Sequence, residues 1–179
     1  IRRVFVEKKP GFDVEAEKLY RDLKDNLGIK GLESLRIVNR YDMEGMSDDE
    51  YVRARDTIFS EPPVDFAYDE EIPIDPSSRV IAVEYLPGQY DQRADSASQC
   101  IQMLNERERT TVKAAKLIIL NGMISDDELA KIKAYCINPI ECREASLEKP
   151  ETLDDVLEMP EDVKNVTGFI SMTDDGLAE

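Results

Sequence analysis

The chain repeats itself, and the repeat limits what it can fold into. Val6-Glu7-Lys8-Lys9-Pro10-Gly11 returns as Val83-Glu84-Tyr85-Leu86-Pro87-Gly88, 77 residues later. Ser47-Asp48-Asp49-Glu50 returns as Ser125-Asp126-Asp127-Glu128, 78 residues later. Two motifs that keep their order and spacing predict one unit present twice. A tandem pair of small α/β units points to a self-paired scaffold rather than a self-contained active site.

Each copy reads β-α-β-α-β. In the first, Arg3-Val4-Phe5-Val6-Glu7 is a short strand ended by the turn chemistry of Pro10-Gly11. A helix is predicted over 13–27, because Ala16, Leu19, Tyr20, Leu23 and Leu27 form one apolar stripe. Asp13 is its expected N-cap and Gly28 its stop. A strand over 35–41 follows, bending at Asp42 and running on to Met46. Ser47 and Glu50 form a capping box, in which the Ser oxygen accepts an amide of the first turn and the Glu reaches back. The helix it opens carries Tyr51, Ala54 and Ile58, and Pro62-Pro63 stops it. Residues 64–68 alternate as a half-buried strand.

After a Pro-rich acidic linker the pattern restarts. Strands are expected over 79–85, 112–120 and 140–145. Helical stripes are expected at Ala94, Ala97, Ile101 and Leu104, and at Leu129, Ile132 and Cys136.

The expected class is α+β. The domain bounds are 1–68 for the first repeat, 69–78 for the linker, 79–146 for the second repeat and 147–179 for an extended acidic linker. A second strand that bends back gives each copy a ferredoxin-like split βαβ arrangement. Such a sheet carries two helices on one face and leaves the other bare. Two copies would bury their bare faces against each other as a pseudo-dimer. Residues 141–179 hold 12 acidic and 3 basic residues, against 27 and 20 in residues 1–140. Within that tail, residues 166–172 could form a short strand, and Thr173-Asp174-Asp175 looks like a helix cap. The chain starts on Ile1 and stops in a polar run, which reads as a piece of something longer.

The residue types exclude several chemistries. With 39 acidic and 23 basic residues the net charge is −16, which argues against nucleic acid and against acidic membrane surfaces. No apolar run approaches 18 residues and no leader pattern is present, so a cytoplasmic location is expected. There is no His, the commonest general base and metal ligand. Three Cys without a CxxC suggest neither a disulfide framework nor a zinc site. Cys100 and Cys136 fall on apolar helix faces and read as buried structural thiols. No phosphate-binding or hydrolase motif occurs. Asp48-Asp49 and Asp126-Asp127 sit in first helical turns, where the dipole favours carboxylates, so capping outweighs divalent-ion binding. No catalytic, cofactor-binding or metal-ligating residue is expected.

One stretch departs from the repeat. Leu86-Pro87-Gly88 leads into Gln89, Tyr90, Asp91, Gln92, Arg93, Asp95 and Ser96, while the matching loop of the first copy is plainer and one residue shorter. The bland reading is a capped βα turn. The functional reading is a polar contact surface aimed at a partner, with Arg93 pairing Asp91, Asp95 or an outside carboxylate.

Long phrases carry a resemblance. Arg2-Arg3-Val4-Phe5-Val6-Glu7-Lys8-Lys9-Pro10-Gly11-Phe12-Asp13, Phe59-Ser60-Glu61-Pro62-Pro63-Val64-Asp65 and the segment from Glu84 to Ser96 resemble the N-terminal region of large single-chain phosphoribosylformylglycinamidine synthases. The resemblance spans the chain, including residues 143–153. It implies a duplicated PurS-like domain in a purine-biosynthesis ligase that uses ATP, magnesium and glutamine-derived ammonia. It also implies that the chemistry lies elsewhere in the parent chain. This part would bridge the synthetase and glutaminase domains and shape the ammonia route, with no cofactor of its own. The rival readings are a stand-alone regulatory module that binds small molecules, and an independent enzyme using Asp91, Arg93 and Asp95.

Overall fold

Alternating apolar residues build one antiparallel sheet of six strands, in the order β3-β1-β2-β5-β4-β6. The computed structural model describes residues 1–105 and 110–154. Its strands are β1 (Arg2–Lys8), β2 (Leu32–Glu44), β3 (Asp65–Asp69), β4 (Arg79–Tyr85), β5 (Thr111–Gly122) and β6 (Cys142–Glu144). The helices are α1 (Val14–Arg21), α2 (Asp48–Ala54), α3 (Gln92–Asn105) and α4 (Asp126–Cys136). Two of them widen at their ends. Leu27 N–H donates to Asp22 O at 3.2 Å and Ser60 N–H to Arg55 O at 3.0 Å, both spanning five residues, so π-type turns extend α1 to Asn26 and α2 to Phe59.

Both capping boxes form. Ser47 accepts from Glu50 N–H and Ser125 from Glu128 N–H, and each Glu reaches back to the cap amide. Asp13 precedes α1 but makes no side-chain cap; its carboxylate accepts from Gly11 N–H at 3.0 Å instead. On α3, Ala94, Ala97 and Ile101 are buried while Leu104 is partly exposed. Cys100 is exposed, contrary to expectation. The buried stripe also takes in Ser98, which turns position 100 away from the sheet.

The strand order reads the same from either end. In the first half β1 lies between β3 and β2; in the second β4 lies between β6 and β5. β2 does not bend back at Asp42. It runs through 13 residues and pairs with β1 on one side and β5 on the other. The halves therefore join edge to edge, and the expected packing of one bare face on the other does not occur. The physical reason lies in strand length: β2 and β5 share a register from Leu32↔Gly122 to Glu44↔Thr111. Joining there removes the two longest open edges from solvent.

Among the described residues, all four helices lie on one face. Tyr41, Met43, Val4 and Val6 meet Tyr51, Ala54 and Phe59 of the α2 segment and Ala94, Ala97 and Ile101 of α3. Ile81, Ile118 and Leu120 meet Leu23 from the α1 segment and Ile132 of α4. The opposite face is covered by the chain itself. Ile72 and Ile74 pack on Phe5, Val38, Leu117 and Ile119, and Ala145 joins the same cluster. After β6 the chain crosses this face as a strap, with Lys149 Nζ donating to Glu70 Oε2 at 2.8 Å and Leu153 N–H to Glu44 Oε2 at 2.9 Å. The expected features at residues 166–175 lie outside the described residues.

Candidate functional site

The loop singled out in the sequence turns the chain from β4 into α3. Gln89 N–H donates to Leu86 O at 3.0 Å, closing the Pro87-Gly88 turn, and Leu86 N–H donates to Glu141 O at 2.9 Å. Asp91 caps α3, accepting from the amides of Arg93 and Ala94 at 3.0 and 3.1 Å. Tyr90 is 69% exposed, and its hydroxyl donates to Asp95 Oδ2 at 3.0 Å, where Gln99 Nε2 also donates at 2.7 Å. The Arg93 guanidinium pairs with neither Asp91 nor Asp95. Its Nη1 reaches Tyr41 Oη at 3.5 Å.

The seven candidates do not converge on one site. Asp91, Gln92 and Arg93 line a cavity of about 310 Å³ on the helix-covered face, between α3 and the end of α4. Gln89, Tyr90, Asp91 and Asp95 line a neighbouring hollow beside the start of β5. Gln92, Arg93 and Ser96 border a third with Cys100. The first turn of α3 thus borders several separate hollows.

The cavity brings in residues that the sequence did not single out. Asn39, Lys116, Cys136 and Cys142 also line it. Val6 pairs with Asn39 as Val83 pairs with Lys116, and Asn39 and Lys116 pair with each other across the central join. The two therefore hold equivalent places on the local axis that relates the halves. The signal was within reach: position 39 advanced by the 77-residue repeat is position 116. Lys116 donates to Glu15. Burial pushes the Cys136 thiol up to about 11 and the Cys142 thiol up as well, so both stay neutral at physiological pH. Activated thiol chemistry is thereby disfavoured.

A second polar cluster lies on the opposite face, beneath the strap. Asp42 is 3% exposed, between Arg3 at 4% and Arg40 at 5%. Arg3 binds it bidentately, Nε to Oδ1 at 2.5 Å and Nη2 to Oδ2 at 3.0 Å. Arg40 Nε stands 3.2 Å from Oδ2, close enough for an ion pair though off the hydrogen-bond direction. The strap supplies the remaining acceptors: Ser146 O for Arg40 at 2.6 Å, and Leu147 O and Glu148 O for Arg3 at 2.9 and 3.2 Å. Burial lowers the Arg40 pKa by more than Asp42 raises it. The strap carbonyls tie the buried Arg3–Asp42–Arg40 cluster to a distant segment of the chain.

No protein-family model matches this chain, and no curated protein does. Among the described residues, no group of three or more His, Cys, Asp or Glu side chains could hold a metal, and no helix is long and apolar enough to cross a membrane. The aspartates of the capping boxes face cations: Asp48 pairs with Arg2 and Asp126 with Arg79. These two ion pairs occupy equivalent places in the two halves.

Proposed function

We propose that this chain is the non-catalytic, duplicated PurS-like scaffold domain of a large single-chain phosphoribosylformylglycinamidine synthase, bridging its synthetase and glutaminase domains in the cytoplasm. The observation that carries the reading is the internal two-fold of the sheet. The same strand order, the same capping boxes and the same Arg–Asp pair occur in both halves, as expected for two ferredoxin-like units fused in tandem. The parent activity in this reading rests on the resemblance of the long phrases to that synthase family. In that reading ATP and magnesium belong to the synthetase domains. Of the paired aspartates here, Asp48 and Asp126 are engaged by Arg2 and Arg79, and among the described residues no third carboxylate, His or Cys joins either pair to make a magnesium site.

The test is reconstitution. A synthase of this family lacking its N-terminal region is mixed with the present chain, and association is followed by analytical ultracentrifugation alongside glutamine-dependent amidine formation. The expected result is a complex at micromolar concentration and recovery of activity. No association, with both parts folded by circular dichroism, would overturn the reading.

A further inference from the structure

We propose that the cavity bounded by Arg93, Asn39 and Lys116 binds a small carboxylate that also carries an N–H or O–H donor, the chemistry of a free amino acid. The inference stands apart from the synthase reading, because it uses only groups lining this cavity.

It starts from groups without a settled partner. Arg93 forms no ion pair among the described residues, and its contact with Tyr41 is at the long limit of a hydrogen bond. Asn39 Oδ1 is buried and accepts no hydrogen bond. Buried polar atoms in folded proteins are rarely left so. Lys116, on the axis beside Asn39, is already paired with Glu15.

The acids nearby are occupied. Asp91 holds two amides of α3, and Glu84 Oε1 accepts from Arg143 Nε at 2.7 Å. The cavity thus offers one guanidinium held by no carboxylate among the described residues and one bare acceptor. A carboxylate on Arg93 makes a charge-assisted contact, and a donor on the same molecule satisfies Asn39. The volume, about 310 Å³, is at the small end of ligand pockets. Sulfate supplies the charge without the donor, and succinate supplies carboxylates without it.

Isothermal titration calorimetry of the 179-residue chain with L-alanine, L-aspartate, L-glutamate, succinate and sulfate tests this. The expected result is saturable binding of at least one amino acid, about tenfold or more tighter than succinate or sulfate. Arg93→Gln weakens that binding about tenfold or more, and Asn39→Ala brings amino acid and succinate level. Folding is checked by circular dichroism. If the central-strand variant Asn39→Ala does not fold, Arg93→Gln on the exposed side of α3 still decides. No saturable heat at millimolar probe, unchanged affinity in Arg93→Gln, or sulfate bound as tightly as every amino acid would each overturn the proposal.

Discussion

Asp42 faces two guanidinium groups in a place from which water is excluded. Taking ions out of water is costly, and the cost is met here by a bidentate contact and three strap carbonyls. Removing the anion leaves two buried cations facing each other. Asp42→Ala is expected to destabilise the chain by about 3–5 kcal/mol, read from urea denaturation. A loss under about 1 kcal/mol would mean that the strap carbonyls suffice alone. The cluster was not legible in the sequence. Arg3, Arg40 and Asp42 occupy the polar phase of their strands, which ordinarily faces water. They are buried because a segment more than a hundred positions after Arg40 lies across them. Cys100 failed in the other direction: it was assigned to the apolar face of its helix, but the buried stripe runs through Ala97, Ser98 and Ile101 and leaves it exposed.

The elements themselves were largely legible where their signals are local. A capping box needs two residues three apart, and both boxes form where Ser47 and Ser125 predicted them. Strand pairing is not local, and β2 shows the difference. Its alternation identified a strand, but nothing within it distinguished bending back from running on to meet β5. The meeting point is tightly built. At the end of the β2–β5 ladder Met123 N–H donates to Gly31 O at 3.0 Å. A Cβ on Gly122 would lie 2.1 Å from Gly31 O, and one on Gly31 would lie 1.9 Å from Met123 O. Gly122 also has φ +123°, which other residues rarely adopt. Gly122→Ala is therefore expected to cost about 2 kcal/mol or more and to lower Tm by several degrees, measured by differential scanning calorimetry.

At the scale of the whole molecule, covering the second face depends on contacts between distant segments. Lys149 anchors the strap to Glu70. Burial raises the Glu70 pKa, but the Lys149 ammonium and the Arg3 amide outweigh it, so the carboxyl sits below its ordinary 4.5. The unfolded chain then binds the proton more tightly than the folded one. The stabilisation is present above pH 4.5 and is lost as pH falls through the lower folded value. Glu70→Gln should flatten this part of the acid limb in urea denaturation run across a pH series. An unchanged acid limb would mean that the contact does not hold the strap. The repeat foretold that the halves would be alike, but the equivalence of Asn39 and Lys116 emerged only from the strand register. The repeat did not foretell that the halves would join edge to edge, because like halves can pair through faces or edges. The lining of the cavity depends on that choice.

The central join also sets an order of events during synthesis. β2 ends at Glu44 and its partner β5 begins at Thr111. At about 5–20 residues per second, the ribosome takes on the order of 3–13 s to deliver that partner. Through that interval the longest strand of the molecule has one open side, and a neighbouring nascent chain with the same strand could occupy it. Carrying both halves on one polypeptide keeps the correct partner tethered close by, and the wait is brief.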